Sequence, residues 1–83
     1  MIEAEIYTAL TEIFHEVFDD DAIVLKPELT AKDVKGWDSY KMVNIIIAVE
    51  ERFGIKTRTQ EIDKLQRVGD FVKLIEAKTA PRP

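Results

Sequence analysis

The stretch GWDSYKMVNIIIAVEERFG, residues 36–54, decides the fold because it joins a polar turn to a long apolar helix. Gly36 lets the chain bend, and Asp38 is a good helix N-cap whose carboxylate accepts backbone N–H groups of the first turn. Ser39 would then be the first helical residue, exposed beside the positive end of the helix dipole. A phosphodiester built on its hydroxyl is electrostatically favoured there. An Asp-Ser pair is by itself also an ordinary helix start, so the rest of the chain must decide between these readings.

The helix predicted over residues 39–53 is rich in β-branched residues, which lower helix propensity, so tertiary packing must stabilise it. Gly54 is well placed to end it. The residues predicted to face the core are Val43, Ile45, Ile46, Val49 and Phe53. The residues predicted on the other side are Tyr40, Lys41, Asn44, Ile47, Ala48 and Glu51.

Three further helices are predicted around this one. Apolar residues recur every three or four positions over residues 2–18 and 68–78, which indicates two amphipathic helices. Residues 57–65 should form a short helix that begins with a capping box over Thr57–Gln60. The inward-facing residues of the last helix are predicted to be Val68, Phe71, Val72 and Ile75. No segment alternates with period two, so no sheet is expected.

A long connection over residues 19–38 separates the first two helices. A loop of this length is unusual in a small domain. Its own apolar anchors are Ile23, Leu25, Leu29, Val34 and Trp37. The spacing of Thr30 and Asp33 resembles a capping box and predicts one helical turn near residues 30–35. Trp37 is predicted to anchor the loop to the core.

The composition indicates one small domain over residues 1–79 and a flexible tail over residues 80–83. The 83 residues include no cysteine, which excludes a disulfide framework and a thiolate metal site. The net charge is −4, and the basic residues are scattered among acids. A nucleic-acid binder should instead show a basic stripe, so we expect no nucleic-acid partner.

Neither a membrane segment nor an enzyme active site is expected. No apolar run is long enough to span a bilayer, and Met1 is followed by acidic residues, so we expect a cytoplasmic protein without a signal peptide. The one histidine, His15, has no neighbour in sequence that would build a catalytic triad. Asp19-Asp20-Asp21 lacks the order of oxygen ligands found in a calcium loop, so no specific metal site is expected.

The order of segments and two motifs resemble the acyl carrier protein family. The motifs are Asp38-Ser39 at the start of the second helix and Glu50-Glu51-Arg52-Phe53-Gly54 at its end. The resemblance covers roughly residues 2–78. It implies an all-α four-helix bundle with a long first loop and a short third helix.

The resemblance also implies a cofactor and a set of partners. Ser39 would receive a 4′-phosphopantetheine arm from coenzyme A through a Mg²⁺-dependent phosphopantetheinyl transferase. The thiol of the arm would hold acyl intermediates as thioesters, which explains how a chain without cysteine performs thiol chemistry. The other implied partners are an acyl-loading ligase or acyltransferase and a ketosynthase or another enzyme of fatty-acid, polyketide or related specialised biosynthesis. The carrier itself is expected to be a non-catalytic monomer.

Departures from the family pattern bear on its partners. Tyr40 stands where many members have leucine, and Lys41 and Asn44 stand at positions that are often acidic. We therefore expect partners that are less basic than those of housekeeping fatty-acid carriers. The predicted partner contacts are Tyr40, Lys41, Asn44 and Ile47. The predicted acyl pocket is Ile46, Ile62 and Val68.

Two alternatives stay open. The first is a carrier of aminoacyl or peptidyl groups. The second is an unmodified helical interaction module of the same fold, for which exposed Tyr40 and Ile47 would also be suitable. An intact Asp38-Ser39 pair favours a carrier, because a module that only binds needs no hydroxyl there.

Overall fold

A computed structural model describes residues 2–79, and it is helical apart from its loops and one isolated bridge. The helices are α1 (Glu3–Phe18), α2 (Ser39–Phe53), α3 (Thr59–Asp63) and α4 (Val68–Thr79). Within these described residues there is no strand, and the isolated bridge pairs Thr30 with Arg67. The predicted four-helix fold, with its long first loop and short third helix, is confirmed. The tail predicted over residues 80–83 lies outside the described residues.

One apolar core joins α1, α2 and α4. Its largest fully buried side chains are Ile6, Leu10, Phe14, Ile45, Val49, Val68, Phe71 and Ile75. Burying each of them contributes about 1.5–3 kcal/mol before the loss of chain entropy is subtracted. All four inward-facing residues predicted for the last helix are buried. α2 is therefore held by its buried residues Ile45, Ile46 and Val49, and its first turn packs on the core through partly buried Met42.

Within α2 the predicted division into two faces is wrong at Val43 and at Ala48, since Ala48 was predicted on the other side but packs partly buried against the core. Ile45, Ile46 and Val49 are buried, and Phe53 packs partly buried against the core. Val43 is 56% exposed, so its predicted place in the core is wrong. A run of neighbouring apolar residues covers both sides of a helix, and the periodicity alone therefore could not choose between them.

The start of α3 differs from the predicted capping box by one residue. Arg58 is the N-cap, and its backbone N–H donates to Glu61 Oε1 over 2.8 Å. Thr57 instead donates its N–H and its hydroxyl to Glu50 Oε2, over 2.8 and 2.9 Å. The predicted box over Thr57–Gln60 is wrong. The carboxylate of Glu50 accepts the donors of Thr57, and the carboxylate of Glu61 accepts the N–H of Arg58, because a carboxylate is a stronger acceptor than the side-chain amide of Gln60.

Backbone hydrogen bonds fasten the long first loop to the start of α4. The N–H of Val68 donates to the carbonyl of Leu29, and the N–H of Gly69 donates to the carbonyl of Pro27, both over 2.9 Å. A Cβ at position 69 would lie 3.1 Å from the oxygen of Pro27, so glycine permits this approach. The middle of the loop therefore lies against the first turn of α4.

The segment around Thr30 forms hydrogen-bonded turns, not the predicted helical turn. The backbone N–H and the hydroxyl of Thr30 donate to Asp33 Oδ2 over 2.9 and 3.2 Å. The N–H of Asp33 donates back to the carbonyl of Thr30 over 3.0 Å. The bond from the Thr30 N–H to the Asp33 carboxylate is the one that the predicted capping-box spacing implies, but the turn does not continue as a helix.

His15 braces the beginning of the same loop. Its Nε2 lies 2.9 Å from the carbonyl oxygen of Ile23. A carbonyl only accepts hydrogen bonds, so Nε2 carries the proton. His15 therefore ties α1 to the loop, which is a structural role that its sequence neighbours did not reveal.

Candidate functional site

Ser39 is the first residue of α2 and is exposed. The preceding residue, Asp38, is extended and caps the helix: its Oδ1 accepts the N–H of Lys41 over 2.9 Å. The carbonyl of Asp38 accepts the N–H of Met42, also over 2.9 Å. The cap fixes the direction in which the helix begins and leaves the hydroxyl of Ser39 at its surface.

The charge around the start of α2 differs from that at the other helix starts. The first turn of α2 contains no acidic residue. Acidic residues occupy the first turns of α1, α3 and α4, namely Glu3, Glu5, Glu61 and Asp70. The capping carboxylate of Asp38 is therefore the acidic group next to the positive end of the α2 dipole, and the first turn itself adds none. This arrangement favours an anionic group on Ser39.

Trp37 anchors the chain just before Ser39, as predicted. Its ring lies edge-to-face on Phe14, with 5.3 Å between the ring centroids. It also packs on Phe18 and Phe71 at 6.1 and 6.2 Å. Gly36, with a φ of 87°, makes the turn that brings the indole inward. The position of the Ser39 hydroxyl therefore depends on this aromatic cluster.

A groove of about 620 Å³ lies beside Ser39. Its apolar lining residues are Ala31, Trp37, Met42 and Leu65, and its polar ones are Thr30, Lys32, Asp38, Ser39 and Gln66. The bridge between Thr30 and Arg67 holds the loop side of the groove close to the segment that follows α3. Its volume is within the range of small-molecule sites, but five of its nine lining residues are polar.

The residues predicted as an acyl pocket lie in or against the core, and their role stays a prediction. Ile46 and Val68 are buried in the core, with exposures of 7% and 0%, and Ile62 packs partly buried against it. None of the three lines the groove beside Ser39. The sequence analysis did not place Met42 and Leu65 together, although both line the groove. Met42 could have been found from its spacing, because residues three apart on a helix share a face, whereas Leu65 reaches the groove only through tertiary structure.

Three apolar residues form an exposed stripe along α2. Tyr40, Val43 and Ile47 are 73%, 56% and 48% exposed and follow each other at helical spacing. We call these three residues the outer stripe. It includes two of the predicted partner contacts, Tyr40 and Ile47.

The other two predicted partner contacts lie at the border of this surface. Lys41 is half-buried, and its Nζ donates to the carbonyl of Val17 over 3.0 Å. This bond satisfies a free carbonyl near the end of α1. Asn44 is also half-buried. Lys41 therefore has a structural contact in addition to any role at a partner surface.

Three carboxylates brace the junctions between helices and loops. Hydrogen bonds from the backbone and side chain of Thr57 lower the pKa of Glu50. A hydrogen bond from Lys78, whose Nζ lies 3.0 Å away, lowers the pKa of Glu61 and joins α3 to α4. The N–H groups of Gln66 and Arg67 lower the pKa of Asp70.

Residues 2–79 contain neither a cluster of metal-ligating side chains nor a membrane-spanning helix. No group of three or more histidine, aspartate or glutamate side chains in this range is placed to hold a metal ion. No helix in the same range is long and apolar enough to cross a membrane.

The fold and the site together define a class: a small four-helix protein that presents a serine hydroxyl at the start of its second helix, beside a groove. No protein-family model matches the chain. The chain is 38% identical to the acyl carrier protein of Acidothermus cellulolyticus over 71 residues, which is 86% of this chain and 84% of that protein. It is 33% identical to the acyl carrier protein of Micrococcus luteus over 76 residues, which is 92% of this chain and 94% of that protein.

A solved structure agrees with these relatives. The solution NMR structure of the holo acyl carrier protein from Geobacter metallireducens superimposes with a TM-score of 0.85 and 44% sequence identity, covering 89% of this chain and 85% of that one. The chain belongs to the acyl carrier protein family. The resemblance inferred from Asp38-Ser39 and the Glu-Glu-x-Phe-Gly ending is thereby confirmed. Members of this family are non-catalytic carriers that bear phosphopantetheine, and fatty-acid biosynthesis is their typical setting.

Proposed function

We propose that this protein carries acyl groups on a 4′-phosphopantetheine arm attached to Ser39. The observation that carries the proposal is the placement of an exposed serine hydroxyl as the first residue of α2, with Asp38 as its cap and no acid in the first turn. Ser39 is also the only serine in the chain. These residues fit the group, because the helix start favours the negative charge that a phosphodiester brings.

The attachment reaction requires little of the carrier. The Oγ of Ser39 forms a bond to the phosphorus that bears the pantetheine part of coenzyme A. The bond from that phosphorus to the bridging oxygen of the pyrophosphate breaks, and adenosine bisphosphate leaves. The hydroxyl proton passes to a base of the transferase. Once attached, the arm supplies a thiol that holds the acyl group as a thioester.

Intact-mass spectrometry tests the attachment. The purified chain is incubated with coenzyme A, Mg²⁺ and a broad-specificity phosphopantetheinyl transferase, beside the variant Ser39→Ala. Thr59→Ala is a matched control because Thr59 is also an exposed hydroxyl residue at the start of a helix. We expect one added phosphopantetheine on the wild type and on Thr59→Ala, and none on Ser39→Ala.

Failure of this experiment has a clear meaning. If folded wild-type protein gains no mass while a known carrier does so in the same mixture, the unmodified interaction module becomes the better proposal. If Ser39→Ala still gains the mass, the attachment site is wrong. The choice between acyl and aminoacyl cargo is made afterwards by finding which loading enzyme charges the arm.

We further propose that partner enzymes dock on the outer stripe, with Lys41 and Asn44 at its border. The expected partners are the transferase, an acyl-loading ligase or acyltransferase, and a ketosynthase or related biosynthetic enzyme. The charged residues of α2 are Lys41, Glu50, Glu51 and Arg52, which sum to zero. Arg52 is also paired with Glu12 over 2.9 Å. Recognition would therefore rest on apolar contact and shape more than on attraction between opposite charges.

Enzyme kinetics with a partner enzyme tests this surface. Ile47→Ser should raise KM for the carrier and leave kcat nearly unchanged, because it removes contact area but not the reacting group. The zero net charge of α2 predicts only a weak dependence of KM on ionic strength. A strong rise of KM with salt, together with a silent Ile47→Ser, would contradict the proposal. The cytoplasmic location and the monomeric state stay predictions.

A further inference from the structure

We infer that Lys32 is a positioning residue for the phosphopantetheine arm, because its ammonium group pairs with the phosphodiester on Ser39. This inference rests on the proposed attachment of the arm to Ser39. The contact lies at the base of the arm and is independent of where the cargo lies. Two features of the molecule support it: the charges around Ser39 and the bonds that already occupy the neighbouring side chains.

An arm on Ser39 brings a new negative charge close to an existing one. The phosphodiester is an anion, and the preceding residue in the chain is Asp38, whose Oδ1 accepts the N–H of Lys41 over 2.9 Å. Two negative charges at one helix start repel each other, which opposes part of the favourable effect of the helix dipole. A cation at the same place would offset this repulsion.

Lys32 supplies that cation. Of the described residues that line the groove beside Ser39, Lys32 is the only one with a positive charge. Its side chain is exposed, and within residues 2–79 it takes part in no ion pair. Lysine carries a compact charge on a flexible four-carbon stem, and it binds phosphate as a point charge. The ammonium group of Lys32 is therefore available to a phosphate on Ser39.

Hydrogen bonds hold the backbone that bears Lys32 at the rim of the groove. The N–H of Lys32 donates to the hydroxyl oxygen of Thr30 over 3.3 Å. Thr30 in turn donates to Asp33 Oδ2 and is bridged to Arg67. Because the backbone is held in this way, only the flexible stem of Lys32 has to move when the phosphate arrives.

Two other lysines are close to Ser39 in the sequence, but neither is placed for this contact. Lys41 is two residues away, and its Nζ already donates to the carbonyl of Val17 over 3.0 Å. Lys35 is exposed on the same loop as Lys32, but it lines a cavity that does not include Ser39. Lys35 is therefore a matched control for Lys32, with the same side chain on the same loop.

Nuclear magnetic resonance of the lysine ammonium groups tests the contact. The transferase installs the arm from coenzyme A on nitrogen-labelled protein, and apo and holo spectra are recorded at low salt and mildly acidic pH. We expect the Nζ resonance of Lys32 to shift when the arm is attached, while that of Lys35 stays in place. At an ionic strength of about 1 M, where the screening length is about 3 Å, the shift should shrink because the pair is exposed.

The phosphorus nucleus of the arm provides a second readout, which reports on positioning. Lys32→Met keeps the apolar stem but loses the charge, so the phosphate should move more freely and its transverse relaxation should slow. Lys32→Arg keeps a cation and should restore the wild-type relaxation rate. Lys35→Met should also relax at the wild-type rate. Circular dichroism verifies that all the variants fold like the wild type.

Two results would overturn the inference. One is an Nζ resonance of Lys32 that does not move when the arm is attached. The other is a phosphorus relaxation rate that is the same in wild type and Lys32→Met, or that falls equally in Lys35→Met, since the helix start would then hold the phosphate without a specific lysine. Intact mass recorded on the same samples separates both from failure of the proposed function, because in that case no mass is added to Ser39.

Discussion

The inner and outer faces of α2 carry the same kinds of side chain but differ in what covers them. Ile45 and Val49, on the inner face, are 0% and 1% exposed. Val43 and Ile47, in the outer stripe, are 56% and 48% exposed. Aliphatic composition therefore does not tell which face is buried. The inner face stabilises the fold, and the outer face is available to partners.

The largest expected effect comes from truncating the inner face. Ile45→Ala should lower the free energy of unfolding by about 2–5 kcal/mol, because it removes buried methyl groups and leaves a cavity. Ile47→Ala, the same substitution on the outer face, should change it by no more than about 0.5 kcal/mol. Urea unfolding followed by circular dichroism measures both. Equal losses for the two variants would mean that the outer stripe is covered in the free protein.

The second largest effect on the free energy of unfolding is expected from removing the Asp38 cap at the start of α2. Asp38→Ala should destabilise the protein by about 0.5–2 kcal/mol, because the N–H of Lys41 loses its acceptor. Asp38→Asn should lose much less, since an amide oxygen caps nearly as well. The same urea experiment compares the two. If both variants lose the same amount, the charge of Asp38 matters more than its hydrogen bond.

Lys41, at the border between the faces, should show a smaller effect. Lys41→Met keeps an apolar stem but loses the bond to the carbonyl of Val17, for an expected cost of about 0.5–1.5 kcal/mol. Lys41→Glu loses the same bond and also reverses the charge. Any further rise of KM for a partner enzyme in Lys41→Glu, beyond that in Lys41→Met, then reports on docking. If the two variants have the same KM, the charge of Lys41 plays no part in recognition.

Acid provides the mildest test, because it acts on the helix junctions and not on the outer stripe. The pKa values of Glu50, Glu61 and Asp70 are lowered in the folded state. Their contribution to stability is therefore present above the ordinary values, about 4.3 for glutamate and 3.9 for aspartate, and is lost as pH falls through the lowered ones.

Melting temperatures recorded between about pH 7 and 3 should stay level at first and then decline below the ordinary carboxyl pKa values. Asp70→Asn should melt lower near neutral pH and show a shallower decline, because one of the three lowered pKa values is gone. Ile47→Ala should follow the wild-type curve. A decline in Asp70→Asn as steep as in the wild type would show that the other acidic groups govern acid sensitivity.

The sequence was sufficient for the elements whose signals are local. α2 begins at Ser39 and ends at Phe53 as predicted, since Asp38 is a strong N-cap and Gly54 takes a left-handed φ of 65°. The inward-facing side of α4 was also correct, because a single apolar stripe leaves one orientation. The start of α3 was not predicted correctly. There the N–H of Thr57 bonds to Glu50 and the N–H of Arg58 bonds to Glu61, and the local pattern had indicated a different acceptor.

The sequence by itself determined the four helices, the capped serine and the family to which the chain belongs, because caps, periodicity and motifs act over a few residues. The tertiary structure alone decided that Val43 is outside the core, that Lys41 bonds to Val17, and that Leu65 and Met42 meet beside Ser39. These outcomes depend on which helix covers which face. That is settled by packing between residues far apart in the chain, and no local pattern contains it.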